Sequence, residues 1–293
     1  MSRTKQLFTR IAQWFDTSAT DESLAGVMRV DWVRVVPFMA VHVMCLGVIW
    51  VGWSPVAVGT AVALYALRMF AITGFYHRYF SHRTFSTSRP AQFVFAFLGS
   101  SAAQRGPLWW AAHHRKHHRY SDTELDPHSP RQHGFWWSHV GWITAPANFP
   151  TDLSQVPDLA EYPELRFLDR FDVVAPVVLA LTLFLLGGWQ LLIWGFFVST
   201  VFVYHATCLI NSAAHVFGKR RYETTDDSKN NFILALITFG EGWHNNHHRY
   251  PGSARQGFFW WEVDLTYYGL RVLQWLRIIH DLRPVPRRIL ESA

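Results

Sequence analysis

The sequence predicts an all-α integral membrane protein, with four transmembrane helices in two hairpins and a helical cytosolic cap that holds a di-metal site. Three observations predict it. No Asp, Glu, Lys or Arg occurs in the 33 residues between Arg34 and Arg68, nor in the 46 between Asp172 and Lys219. Each of these stretches is broken once, at Ser54-Pro55 and at Gly187-Gly188. Three histidine clusters follow apolar or Trp-rich segments: His77/His82, His114/His117/His118 and His244/His247/His248.

A spanning helix needs about 20 apolar residues, so each uncharged stretch fits two. The spans are read at about 33–53, 55–76, 173–187 and 189–210. The first pair fits only if Arg68 lies within or near the end of the second helix. Both hairpin turns are uncharged, whereas Arg29, Arg34, Arg78, Arg83, Arg89, Lys219, Arg220 and Arg221 all fall on the other side. The positive-inside rule then makes both termini and the 77–172 segment cytoplasmic, in a multi-pass protein of the bacterial inner membrane. The net charge of +6 reads as topology charge facing the bilayer surface. No nucleic-acid motif accompanies it, so nucleic acid is excluded as a partner.

The remaining elements follow in order. Residues 1–32 form a cytosolic segment without the continuous apolar core of a signal peptide. Ala91–Ala103 is apolar but too short to span, and fits an interfacial helix. Residues 33–260 make the membrane domain with its cap, and 261–293 an amphipathic helix and tail. Cys45 and Cys208 both fall inside spans and offer neither a disulfide framework nor a thiolate site.

On a helix, positions i, i+3 and i+4 share a face, so each H-x-x-H-H triplet can aim three imidazoles at one point. Imidazole suits Fe, Zn, Cu and Ni. Eight clustered His exceed the needs of one ion, and His215 adds a ninth, one helical turn from Asn211. A zinc hydrolase would need only three such ligands and an open position. His113 points about 100° away from His114 and is set aside. His42 and His205, inside spans, fit neutral imidazoles bonded to a neighbouring helix. Neutral ligands need partners for their N–H groups, and Asp122, Asp126 and Glu241 are the nearest by sequence.

The boxes His77-Arg78-Tyr79-Phe80-Ser81-His82-Arg83, His114-Arg115-Lys116-His117-His118-Arg119-Tyr120-Ser121-Asp122 and Gly240-Glu241-Gly242-Trp243-His244-Asn245-Asn246-His247-His248 resemble those of membrane fatty acyl desaturases, in particular the stearoyl-CoA (Δ9) branch. Asp126-Pro127-His128-Ser129 and Asn211-Ser212-Ala213-Ala214-His215 resemble elements of that branch too. The similarity runs from about residue 35 to 260. It implies two Fe ions held by His77, His82, His114, His117, His118, His215, His244, His247 and His248, with Asn211 joining through water; recombinant material can carry Zn instead. It implies O2 as co-substrate and a bent tunnel for a long acyl chain, with Gln104, Arg105, Trp110 and Trp243 at the substrate. The product would be a cis double bond. Electrons would come from a separate donor of the ferredoxin, rubredoxin or cytochrome b5 type with its reductase, because nothing after His248 offers a haem motif. The positions where animal relatives hold CoA with polar side chains are here Ala111, Ala112 and His113, so the carrier stays open among CoA, acyl carrier protein and phospholipid. A hydroxylase, acetylenase or alkane oxygenase would use the same metals. A His-rich metal transporter would place its ligands near the bilayer midplane.

Overall fold

The computed structural model describes residues 3–19 and 22–293. Its labelled helices are α1 (Arg3–Ala12), α2 (Trp32–Val51), α3 (Pro55–Ser81), α4 (Arg89–Ser100), α5 (Pro107–Tyr120), α6 (Val174–Val216), α7 (Phe232–Ile237), α8 (His244–Arg249) and α9 (Leu265–Trp275), with shorter turns between them. Three of these, α2, α3 and α6, are long and apolar enough to cross a membrane.

Local chemistry sets their ends. Asp31 caps α2 by accepting from the Val33 N–H, and Gly52 stops it with a φ of +63°. Ser54 caps α3 by accepting from the Ala57 N–H, and Pro55 supplies a first-turn residue that needs no donor. α6 holds 43 residues, which as one straight rod would measure roughly 65 Å, about twice the hydrocarbon thickness. Gly187 and Gly188 leave the helical region there, Gly188 at φ +59°. The chain folds back, and Leu183 lies against Gly195 across the bend. The second charge-free stretch is therefore a helical hairpin, whose second arm extends six residues beyond the expected 210 and carries His215.

Arg68 does lie within α3, fully buried. A buried guanidinium is tolerated only when its donors are met. Nη1 donates to Thr200 Oγ1 (2.6 Å) and to the Ser101 carbonyl (3.3 Å), and Nη2 to Ser199 Oγ. These bonds fasten α3 to the second arm of α6 and to the end of α4.

Three differences from the expected organisation stand out. The C-terminal amphipathic helix is shorter than expected: it runs over Leu265–Trp275, Ile279–His280 then pairs antiparallel with Ser86–Thr87, and a single further turn of helix covers Arg287–Leu290. That two-residue pairing adds a small β element to an otherwise helical fold. The N-terminal segment packs onto the protein, with Gln13 and Trp14 in the wall of the main cavity. Thr17 also donates through its backbone N–H to the Arg170 carbonyl and through Oγ1 to that of Asp169.

The candidate metal centre and its cavity

Nine histidines gather in two groups. One holds His77, His82, His114, His118 and His247, and the other His117, His215, His244 and His248. Within each group the ring nitrogens lie within 4.8 Å of one another. The expectation that each H-x-x-H-H triplet aims at one point is corrected here. In α5, His114 and His118 turn to the five-imidazole cluster and His117 to the other. In α8, His244 and His248 turn to the four-imidazole cluster and His247 to the first. The i, i+4 pair shares one direction, and the residue at i+3 sits far enough round the helix to serve a second centre alongside.

The pair His77/His82 is spaced by five, which on an α-helix leaves the two about 140° apart. The last turns of α3 widen into a π-helix over Ala71–Ser81, and the His82 N–H donates to the His77 carbonyl at 3.3 Å. The wider turn brings the two rings to 5.0 Å, centroid to centroid. α8 is short and is pinned by its two asparagines. Asn245 Oδ1 accepts from the backbone N–H groups of Arg221 and Tyr222 (2.8 Å each). Asn246 Nδ2 donates to Glu262 Oε2 (2.9 Å) and to the Gln256 carbonyl (3.0 Å). Gly240, just before this box, sits at φ +122°, and a Cβ there would meet Asp264 Oδ1 at 2.5 Å. Only glycine fits.

Carboxylates fix the ring orientations. His117 Nδ1 donates to Asp126 Oδ2 (3.0 Å), His215 Nδ1 to Asp122 Oδ2 (2.8 Å), and His77 Nδ1 to Glu241. All three acidic residues expected from sequence are thus in contact with the clusters. A fourth, Asp226, was missed, and it accepts from His248 Nδ1 at 2.7 Å. Its distance in sequence from any box gave no signal. Gln256, also missed, donates to Glu241 Oε2 (3.2 Å), and Arg78 Nη2 to Glu241 Oε1 (3.1 Å). With Nδ1 so engaged, Nε2 carries the free lone pair. Facing Nε2 atoms stand 2.9 Å apart for His77/His247, 2.8 Å for His82/His114, 2.9 Å for His118/His247 and 3.0 Å for His215/His244. His248 Nε2 is buried with no partner.

Burial pushes the pKa values of His82, His114, His118, His244 and His247 well below the imidazole range, and that of His248 down to about 4. These rings are neutral at pH 7, as metal ligation requires. His117 moves the other way: burial alone would lower it, and Asp126 more than offsets that. Burial also works to raise Asp122, Asp126 and Asp226. Their histidine partners and hydrogen bonds nonetheless hold them below the usual carboxylate range.

A cavity of about 450 Å³ runs beside the clusters. Trp110, His114, His128 and Asn211 line it at the metal side, and Trp110 stacks on His114 at 5.0 Å. Gln104 and Arg105 line it as well. One expectation is corrected. Trp243 does not line this cavity; its indole N–H donates to the Val263 carbonyl (2.8 Å) and fixes the loop behind the third box. Arg105 Nε pairs with Asp172 (3.3 Å), and its Nη2 donates to the Phe149 carbonyl (3.0 Å). His113, set aside on geometry, bonds the Trp109 carbonyl and joins neither cluster. His42 and His205 bond each other (2.9 Å), and His205 bonds His139 (3.0 Å), tying α2 and α6 to the turn that carries His139.

Fold and site together define a membrane protein that can hold metal in two imidazole clusters beside an apolar cavity. The chain belongs to the fatty acid desaturase family, whose model matches residues 52–275, and it is a fatty acyl desaturase, an oxidoreductase of lipid metabolism. It is 40% identical over 258 residues to the sn-1 stearoyl-lipid 9-desaturase of Anabaena variabilis, covering 87% of this chain and 94% of that one. It is 39% identical to the sn-2 palmitoyl-lipid 9-desaturase of Nostoc sp. (strain 36), covering 84% of this chain and 87% of that one. An acyl-CoA 5-desaturase of Anemone leveillei is 37% identical, over 89% of this chain and 84% of its own.

Proposed function

We propose that this chain introduces a cis double bond at carbon 9 of a saturated, lipid-linked acyl chain, with O2, two iron ions and electrons from a separate donor protein. The observation that carries the reading is the pair of imidazole clusters, five and four, beside one acyl-sized cavity. The donor set fits the metal. An ion about 2.1 Å from each of two ligands set at right angles separates their nitrogens by roughly 3 Å, close to the facing distances above. The orphaned Nε2 of His248 gains a partner by ligation, and all-imidazole sites suit iron. Bound iron would supply the oxygen activation that C–H cleavage needs. Balance requires one O2, two electrons, two protons and two substrate hydrogens to give two waters.

The protein's own residues do the rest. His77, His82, His114, His118 and His247 would hold one ion. His117, His215, His244 and His248 would hold the other, with Asn211 reaching it through water. Asp122, Asp126, Asp226 and Glu241 hold the ring protons on Nδ1. Trp110, flat against His114, presents a rigid wall that fixes two adjacent methylenes beside the clusters, where small misplacement is costly. The apolar lining (Phe38, Val41, Ala180, Phe196, Val201) excludes water from the reacting carbons.

In this reading the two arms of α6 each cross the bilayer, giving four crossings. Both termini and the clusters face the cytoplasm, and the turns at Ser54 and Gly187 face the opposite side. Cysteine labelling at those points tests the topology; an external N-terminus overturns it. Activity is tested with iron-loaded protein, reduced ferredoxin, oxygen and a stearoyl lipid, with products read by gas chromatography–mass spectrometry. A cis-9 monounsaturated product is expected. A hydroxy acid or an alkyne as the main product would replace desaturation with a sister chemistry, and metal flux without oxygen consumption would make the protein a transporter.

A further inference from the structure

The helix that leads into the third histidine box has a composition that metal binding does not explain. α7 and the two residues after it read Phe232-Ile233-Leu234-Ala235-Leu236-Ile237-Thr238-Phe239, without a charge. Only Leu234 and Ala235 of α7 are buried. Ile233 is 71% exposed and Phe232 54%, with Leu236 and Ile237 exposed beside them. A bare apolar face of this kind calls for an apolar partner.

α3 gives the depth at which that face lies. In the topology proposed above, Ser54 marks the far side of the bilayer, and the exposed Trp50 and Trp53 beside it suit the far interface. Tyr65 follows Pro55 by about 15 Å along the helix axis, half of a hydrocarbon core of about 30 Å. The Tyr65 hydroxyl donates to the Ile237 carbonyl, and its ring meets that of Phe239 edge-on at 6.3 Å. α9 continues the contact towards the near side. The Phe70 ring leaves no room for a Cβ on Gly269, and Thr266 Oγ1 bonds Thr73 Oγ1 at 2.7 Å. Phe70 and Thr73 lie roughly 23 and 27 Å from Pro55, still inside the core. A tilted α3 would set all of these contacts deeper.

Backbone inside the hydrocarbon must find its partners within the protein. The turn that ends α7 does so. The carbonyls of Leu234, Ala235 and Phe239 accept from the N–H groups of Thr238 (2.9 Å), Gly240 (2.7 Å) and Thr266 (2.9 Å), and that of Ile237 from Tyr65. At the other end, Asn231 Oδ1 accepts from the Leu234 N–H (3.1 Å). The same segment is fastened to the metal site. The Asn231 N–H donates to the Gly242 carbonyl (2.7 Å), and the backbone of Leu234 and Ala235 leaves no room for a Cβ on Gly242. α7, the third box and the start of α9 therefore form one bonded unit.

We infer that Phe232–Phe239 is a re-entrant segment that enters the near leaflet beside α3, and that the lipid acyl chains around it hold the third histidine box in register with the other two. The inference rests on the proposed topology and adds to it a contact between bilayer and metal site. Lipid is the occupant, in place of a second copy of the chain, because this face continues the exposed apolar surface of α3 (Val62, Leu67) at the same depth.

The test uses the full chain with Cys45→Ala and Cys208→Ala, in nanodiscs of phosphatidylcholine and phosphatidylglycerol. Ile233→Cys carries an environment-sensitive fluorophore, and Glu223→Cys, in the exposed loop after α6, serves as the control. Lipid brominated on its acyl chains should quench the label at 233 several-fold more than the label at 223, and aqueous iodide should do the reverse. Equal quenching of both labels by iodide places the segment in water and overturns the inference. A label at 233 shielded from both quenchers means that protein covers the face, and overturns it too. A label at Ser54→Cys reached from the cytoplasmic side overturns the topology itself; iodide at 233 with Ser54 external overturns only the inference. Metal retention gives an independent arm. α8 serves both clusters, so Ile233→Asp should make both lose metal to a chelator about tenfold faster, because a charge is costly in hydrocarbon. Ile233→Leu should match the parent. In water, aspartate at so exposed a position would be near neutral, so unchanged metal retention in folded Ile233→Asp refutes the role of lipid. If Ile233→Asp fails to fold, the labelling decides alone.

Discussion

The two imidazole clusters are built from the same boxes and yet differ in what stands behind them. Behind the five-imidazole cluster stands, among the described residues, a single carboxylate, Glu241, and its charge is shared with Arg78. Behind the four-imidazole cluster are three, Asp126, Asp122 and Asp226, each taking the Nδ1 proton of a ring. A carboxylate behind a ligating imidazole fixes its tautomer and raises its basicity, and its loss typically costs 10–100-fold in metal affinity. The five-imidazole cluster relies on the number of ligands and on the rigid end of a membrane helix. The four-imidazole cluster relies on nearby negative charge. A site short of one ligand can be compensated from outside its ligand set.

Five measurements can break or sharpen this contrast. The largest effect is expected from His117→Ala, which leaves the four-imidazole cluster with three rings. Activity should fall to background, and elemental analysis should find about one metal per chain where the parent holds two; two metals with full activity would refute the partition of α5 between the clusters. His247→Ala leaves the other cluster with four rings. It should lose activity too but retain more of its metal under a chelator than His117→Ala does.

Next, Asp226→Asn should weaken metal at the four-imidazole cluster by 10–100-fold while leaving the other intact, read by competition with a chelator. Equal loss from both clusters would mean that Asp226 acts through the fold. A smaller and oppositely directed effect is expected from Gly240→Ala. The added Cβ meets Asp264 at a backbone angle that alanine avoids, so the variant should lose about 1–3 kcal/mol of stability. It should also shift Glu241 and weaken the five-imidazole cluster first.

The smallest effect is protonic. In the metal-free protein, burial keeps His82, His114, His118 and His247 neutral at pH 7, so metal arriving there displaces no proton from them. His117 has a raised pKa because of Asp126, so it holds its proton at higher pH and must release it on metal binding. Affinity at the four-imidazole cluster should therefore fall as pH drops from 8 to 6. Calorimetry in buffers of different ionisation enthalpy measures the proton that His117 releases; a His117→Asn variant that releases as many protons as the parent would refute it.

Much of this was legible in the chain. Runs of 33 and 46 uncharged residues define apolar helices because a membrane core admits few charges, and the Gly187-Gly188 break marks the turn because glycine alone adopts such angles freely. The nine histidines stand out because imidazoles rarely cluster without a task, and a one-turn offset links Asn211 to His215 by helix geometry alone. The sequence by itself therefore determined a membrane fold and the identity of the clustered imidazoles.

Only the tertiary structure decided how these imidazoles divide. Residues at i, i+3 and i+4 share a broad face, but whether that face meets one centre or two depends on how α5 crosses α3 and α8. Asp226 reaches His248 from 22 positions away, and Trp243, beside a histidine, turns from the cavity to the Val263 carbonyl. Asp16 pairs with Arg170 across 154 positions. Short-range spacing fixes which side chains a helix can present together; pairing between distant segments depends on packing, and packing is a property of the whole folded chain.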